Sequence, residues 1–313
     1  MNIMIWINQE QIVRVGDVFK RLEIAPDNFL DPRYYPSEKD DYELVISYFT
    51  TMVSIDHRTS MFTKYRLKIS EEYFEGADLL WRLGKEMYDK DPKFFTPEKL
   101  KDVDVSIVRR WLCPNDMVEL WDINIRTILL RDLGKKTYIL YNGKFSNIFK
   151  ESNGYIRGSR GIAELLKIYR AYEDPVEKKI FLLLKFLHRR KLVNIKDFEN
   201  IEIPVDNHLT RIAIRLGIVN LDEKIIKYIQ DRVEVSYNLD VEIRLTIRKA
   251  WKEVSKICGK DVTILDDYLW NHGRKVCTYE NPRCEICDLK SVCNAHMVGT
   301  YLTEHEYRLT WYY

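Results

Sequence analysis

Apolar residues recur along this chain mostly at helical spacing. In residues 72–90 (EYFEGADLLWRLGKEMYDK) and 243–258 (IRLTIRKAWKEVSKIC) they return every three or four positions, which places them on one face of an α-helix. Asp174-Pro175-Val176-Glu177 has the make-up of a capping box, with a cap residue, a proline for the first helical position and a glutamate for the third. It predicts a helix through KKIFLLLKFLHRRK with Val176, Ile180, Leu183, Leu184 and Leu187 on its buried face. A second start is expected at Asp206, whose carboxylate can cap a helix bearing Leu209, Ile212, Ala213 and Leu216 on one stripe, with Gly217 ending it. The clearest strand-like run is Thr137–Tyr141 (TYILY), followed by Asn142-Gly143, a turn dipeptide suited to a small hairpin.

Composition narrows the class without naming an activity. At 313 residues, with 46% apolar and 31% charged side chains, the chain can bury a large core in one or two domains, and extensive disorder is excluded. No run approaches the roughly eighteen apolar residues of a membrane span, and the N-terminal segment lacks the features of a signal peptide. An intracellular, cytoplasmic protein is expected, and the many Lys, Ile, Glu and Tyr residues fit a thermophile. A net charge of +2 means that any contact with nucleic acid must use a local patch. Trp81, Trp111, Trp121 and Trp251 fall in helical patterns and are expected in the core. The triplet Asp56-His57-Arg58 could line a pocket but reads rather as an exposed loop, and the basic run from Lys178 to Lys191 as solvated or paired with acids elsewhere.

Cysteine spacing changes the picture most. Cys113 and Cys258 stand apart, whereas Cys277-x6-Cys284-x2-Cys287-x5-Cys293 offers four thiolates in one short run. In a reducing compartment such a run favours a metal over disulfides, and spacing alone leaves tetrahedral zinc and a cubane iron–sulfur cluster both open. The whole segment LWNHGRKVCTYENPRCEICDLKSVC, with His272-Gly273-Arg274 before the first cysteine and Pro282-Arg283 before the second, resembles the C-terminal signature of the endonuclease III and adenine-mismatch glycosylase superfamily. That resemblance implies a [4Fe–4S] cluster on Cys277, Cys284, Cys287 and Cys293, with structural zinc as the alternative. Four thiolates leave no open coordination position, so the metal is expected to be structural. The resemblance further implies that the loop Thr278–Arg283 faces a DNA backbone, with Arg274 and Arg283 as contacts.

The segment IPVDNHLTRIAIRLG is similar to the superfamily's catalytic stretch, in which an aspartate precedes a short helix with spaced arginines, here including Arg211 as a further DNA contact. The catalytic carboxylate then falls on Asp206, which could equally be no more than a helix cap. Bifunctional members of the superfamily carry a nucleophilic lysine at the start of the preceding helix. Lys178 matches that motif, whereas helical geometry favours Lys179, which borders the apolar stripe; both are candidates. The chain departs from the family pattern in having no Gly-x-Gly hairpin before these lysines.

Two weaker resemblances remain. The long interval from Lys178 to Asp206 is similar to that in the archaeal 8-oxoguanine glycosylases, which generally lack the cysteines. NGKFSNIFKES and the segments after it resemble the queuosine-nucleotide N-glycosylases, which would make the substrate a small modified nucleotide. The expected protein is all-α, of the helix-hairpin-helix glycosylase type and monomeric. Residues 1–45 would pack on the cluster domain, 46–225 would form a helical barrel with the active site, and 226–313 would carry the C-terminal helices and cluster loop. Double-stranded DNA bearing a modified base is the expected partner. A cluster-stabilised DNA-binding protein without catalysis is the non-enzymatic alternative.

Overall fold

The computed structural model describes residues 4–115 and 118–313. It is mostly helical, with two small antiparallel ribbons. The elements that position the candidate site are, in chain order, β1 (Ile5–Ile7), α1 (Gln9–Arg21), α2 (Tyr42–Ser54), β2 (Arg66–Ile69), β3 (Glu72–Glu75), α3 (Ala77–Lys90), α4 (Ile123–Leu140), α5 (Lys178–Arg189), α6 (Asn207–Leu216), β4 (Val219–Leu221), α7 (Tyr237–Cys258) and α8 (Val262–Lys275). They fall into two compact units, Met1–Asp27 with Glu202–Leu309, and Asn28–Ile201 with Thr310–Tyr313. Residues 202–225, grouped with the central barrel on sequence grounds, lie in the first of these units.

In the first unit α1 packs along α7, and β1 pairs with β4 in the register Ile5 to Leu221 and Ile7 to Val219. Trp251 of α7 is fully buried, meets the edge of Phe19 and donates its indole N–H to the Leu209 carbonyl at 3.3 Å. Helix α6 starts where expected: the Asp206 carboxylate accepts from Leu209 N, and Gly217, at φ +78°, closes the helix. Helix α8 lies against α6 at Gly273, where a Cβ would stand 2.6 Å from the Cβ of His208. The glycine of the His-Gly-Arg triplet is therefore a packing requirement. Gly273→Ala should cost about 1–3 kcal/mol of stability, read as a lower melting temperature; an unchanged melt would contradict this packing.

In the second unit α2, α3 and α5 enclose an aromatic core in which Phe186 stacks on Phe49 at 5.2 Å and lies 4.9 Å from Trp81. The apolar face expected on α5 is buried.

Three expectations about elements are corrected. Thr137–Tyr141 is not a strand: residues 137–140 are the last turn of α4, anchored upstream by buried Ile123, Leu129, Leu130 and Leu133, while Ile139 points outward. Asn142 and Gly143 do adopt positive φ, but they end a helix instead of closing a hairpin. Within 72–90, residues 72–75 form β3 against β2, and the helix begins only after Gly76 at φ +61°. Pro175 is not the first residue of α5. Asp174 caps the turn by accepting from Val176 N and Lys178 N at 3.1 Å each, and Glu177 takes a left-handed conformation, φ +61°, so the helix starts at Lys178.

Candidate active site

The first turn of α5 meets the C-terminal end of α2. Lys179 is fully buried; its Nζ donates to the Ser54 carbonyl at 2.6 Å, satisfying a carbonyl of the last turn of α2, and lies 3.1 Å from Nδ1 of His57. His57 Nε2 stands 2.7 Å from Oδ2 of Asp122, whose Oδ1 accepts from Arg126 Nε at 2.7 Å. Arg126 also donates to the carbonyls of Ile55 and His57, which fixes the loop that follows α2. Lys178, 7% exposed, reaches the Asp56 carbonyl at 3.3 Å, and the Asp56 carboxylate accepts from Trp81 Nε1.

This arrangement favours a neutral imidazole and a neutral amine. Burial, reinforced by Arg126, Lys179, Lys178 and Arg58, pushes the His57 pKa well down. Burial, then Lys178 and Arg126, pushes Lys179 well down against the opposing pull of Asp56 and Asp122. Burial raises the Asp122 carboxyl, opposed by Arg126. A cation whose pKa is lowered by folding leaves the unfolded chain holding more protons from the lowered value up to the ordinary one, 10.5 for Lys179. Stability therefore rises with pH across that window and falls as pH falls, by at most about 1.4 kcal/mol per pH unit per proton. The stability of wild type relative to Lys179→Met should thus increase between about pH 7 and pH 10 in melts of the two proteins. Parallel curves would refute a depressed Lys179.

The hairpin position just before these lysines is Glu177, whose left-handed backbone would suit a glycine. Its carboxylate grips Arg157 through two 2.7 Å hydrogen bonds and Lys167 at 2.8 Å. Burial pushes the carboxyl up, but these cations outweigh it and hold its pKa at about 2. Glu177 takes this left-handed conformation without being a glycine.

In the other unit Asp206 is half-buried, with Oδ1 accepting from Leu209 N at 3.0 Å and no hydrogen bond to Oδ2 among the described residues. His208 lies two residues on; burial lowers its pKa, Asp206 opposing and Arg211 assisting. Arg211 does not present itself to a ligand as the sequence suggested. It is buried, and its guanidinium is consumed by the carbonyls of Cys277 and Gly273, by Glu304 at 2.7 Å and by His208. Arg215, one turn on, binds the carbonyls of Leu302, Thr278 and Tyr279 at 2.7 Å each. The spaced arginines of this segment hold the irregular cysteine loop onto α6.

The four cysteines of the loop act on one another electrostatically: burial, with added effects of Cys277, Cys293 and Cys284, raises the Cys287 thiol to about 12. Donors surround the sulfurs, with Arg215 Nη1 3.4 Å from Cys277, the Tyr301 hydroxyl 3.5 Å from Cys284 and His272 Nε2 3.5 Å from Cys287. No group of three or more His, Cys, Asp or Glu side chains among the described residues is arranged to hold a single metal ion. The donor set itself, four cysteine sulfurs of which three have a nitrogen or hydroxyl group beside them while Cys293 Sγ faces the Arg215 carbonyl at 3.3 Å, suits a thiolate-bound metal group. Arg283 is exposed beside Glu285, and Arg274 lies over the Trp270 ring at 4.2 Å.

Sequence reasoning missed His57, Asp122 and Arg126. The Asp56-His57-Arg58 triplet was the signal, but His57 is 2% exposed and not a loop solvent contact. The basic run is likewise mostly inside: Lys178, Lys179, Lys185 and Arg190 are buried. Trp81, Trp111 and Trp251 are in the core as expected, and Trp121 is half-buried. No helix among the described residues is long and apolar enough to cross a membrane.

The family model described as "AGOG: N-glycosylase/DNA lyase" matches residues 178–300, a span that begins at the lysines and includes Asp206 and all four clustered cysteines. No curated protein matches. Among solved structures, one described as a trapped endonuclease III–DNA covalent intermediate, an estranged-adenine complex, is similar to this chain. It matches at 15% identity over 93% of this chain and 98% of that one, with a TM-score of 0.50. That likeness shows a shared fold.

Proposed function

We infer that this chain is a DNA glycosylase of the helix-hairpin-helix superfamily, acting in base excision repair by cleaving the bond between a damaged or mismatched base and its sugar. Breaking that bond develops positive charge at the anomeric carbon. A fixed carboxylate beside it stabilises this charge, and Asp206, anchored by its capping oxygen with the other oxygen unengaged, is the group we assign to that task. What supports a lyase step is the fully buried Lys179 amine, whose pKa burial and the nearby cations push well down, toward the neutral state in which nitrogen attacks carbon. Both of its N–H groups are taken by Ser54 and His57, so its lone pair is the part left over for a substrate. Because the amine is enclosed, binding of the sugar must open it.

The substrate we propose is duplex DNA carrying a modified base, with Arg274 and Arg283 meeting phosphates. We assign a [4Fe–4S] cluster to Cys277, Cys284, Cys287 and Cys293; structural zinc is the competing occupant. When bound, the group supplies a crosslink that fixes the loop and takes no part in bond cleavage. Aerobically purified protein should be brown, and Cys284→Ser or Cys287→Ser should lose both the colour and much of the thermal stability. Colourless wild-type protein with stoichiometric zinc would overturn the cluster.

The experiment for the lyase step is borohydride trapping on lesion-containing duplex DNA. A covalent adduct is expected; base release without any adduct on every lesion tested would make the enzyme monofunctional.

A further inference from the structure

Lys179 poses a chemical problem. When a neutral amine bonds to the anomeric carbon, the nitrogen becomes a cation and must lose a proton, yet its position is sealed from bulk water. A carbonyl such as that of Ser54 accepts a hydrogen bond but not a proton. Among the described residues, the base hydrogen-bonded to this amine is Nδ1 of His57, at 3.1 Å. Which ring nitrogen is free follows from the other side of the ring: Asp122 Oδ2, 2.7 Å from Nε2, is an acceptor, so Nε2 carries the hydrogen and Nδ1 carries the lone pair. Asp122 is fixed in turn by Arg126 on its other oxygen.

We propose that Asp122, His57 and Lys179 form a buried proton relay, in which His57 takes a proton from the Lys179 nitrogen as it bonds to the sugar and then delivers that proton to the sugar ring oxygen. The proposal rests on the reading of Lys179 as the nucleophile. In the first step the Nζ–C1′ bond forms, the base leaves with the electron pair of its bond, and one Nζ proton passes to Nδ1. In the second the C1′–O4′ bond breaks, the Nζ lone pair makes the C=N bond of the iminium, and O4′ receives the proton from Nδ1. No oxidant or further reactant is needed. The cations Arg126, Lys178 and Arg58 and the carboxylates of Asp122 and Asp56 surround the pair. The cations disfavour a resting imidazolium, and Asp122 steadies the one that forms transiently. His57 handles the proton of a reacting atom; Asp122 is a positioning residue.

The substitution Asp122→Asn separates this relay from a merely structural contact. Arg126 will keep the asparagine oxygen on its own side, which turns the amide N–H2 toward Nε2 and forces the hydrogen onto Nδ1, where it blocks the Lys179 lone pair. His57→Gln keeps an acceptor for the Lys179 N–H but cannot take a proton. Trapping rates of wild type, Lys179→Ala, His57→Gln and Asp122→Asn would be followed against pH on lesion-containing duplex DNA. Both relay variants should trap about a hundredfold or more slowly, and His57→Gln should lose the acid limb of the wild-type profile. If Lys179→Ala traps like wild type, the nucleophile reading fails. If it does not trap while both relay variants keep the wild-type rate and profile, the relay alone fails. Nitrogen NMR of the histidine rings in unsubstituted protein needs no variant to fold: a neutral His57 with a bare Nδ1 is expected, and a protonated Nδ1 would overturn the relay.

Discussion

Asp206→Asn is expected to lower base release about a hundredfold or more while leaving the fold intact, because charge and shape are separable at this position. Asparagine keeps the size of the side chain and an oxygen for Leu209 N, so α6 retains its cap and the stability loss should be a few tenths of a kcal/mol at most. What disappears is the negative charge opposing the developing oxocarbenium. An aspartate that served only as a helix cap would give the reverse pattern, with a measurable melt shift on Asp206→Ala and no change in turnover on Asp206→Asn. Single-turnover base release beside a thermal melt distinguishes them.

Lys179→Ala is expected to abolish covalent trapping, since no adduct forms without the attacking nitrogen, whereas Lys178→Ala should retain it. The two lysines are neighbours in sequence but not in circumstance. Lys178 keeps slight exposure, and its amine makes one long hydrogen bond among the described residues, while Lys179 is enclosed, bound to two acceptors and pushed toward neutrality by its surroundings. Base release by Lys179→Ala can continue with water in place of the amine, so loss of trapping with residual release is the expected signature. Trapping lost in Lys178→Ala and kept in Lys179→Ala would move the nucleophile to Lys178 and leave Lys179 as a buried strut.

How much of this was legible in the chain follows from the range of each interaction. The cap at Asp206, the stripe on α6 and the closing glycine are all local, and they stand in the structure as the pattern requires. The cysteine run and its flanking His-Gly-Arg were visible as residue types at fixed spacing, although the reason for the glycine appears only where α8 meets His208. Asn142-Gly143 was read correctly as a turn and wrongly as a hairpin, because packing upstream, not the β-propensity of TYILY, decides the conformation of residues 137–140. The surroundings of Lys179 were hidden for a different reason. His57 lies 122 residues from it and Asp122 a further 65 from His57, distances at which no periodicity connects side chains. Glu177 shows the same limit: it was read as the third helical residue of a capping box, and in the structure it is a left-handed residue before the helix, its carboxylate held by Arg157 and Lys167.

The central claim, that this fold acts on DNA as an N-glycosylase, is tested most directly by one assay run on two substrate classes. Wild-type protein would be incubated in parallel with a panel of lesion-containing duplexes and with free modified nucleosides and nucleoside 5′-monophosphates, deazaguanines included, and the released base quantified. Release from at least one duplex, lost in Asp206→Asn, is the predicted result. Release from the small molecules alone would contradict the DNA assignment and place the chain with the nucleotide N-glycosylases.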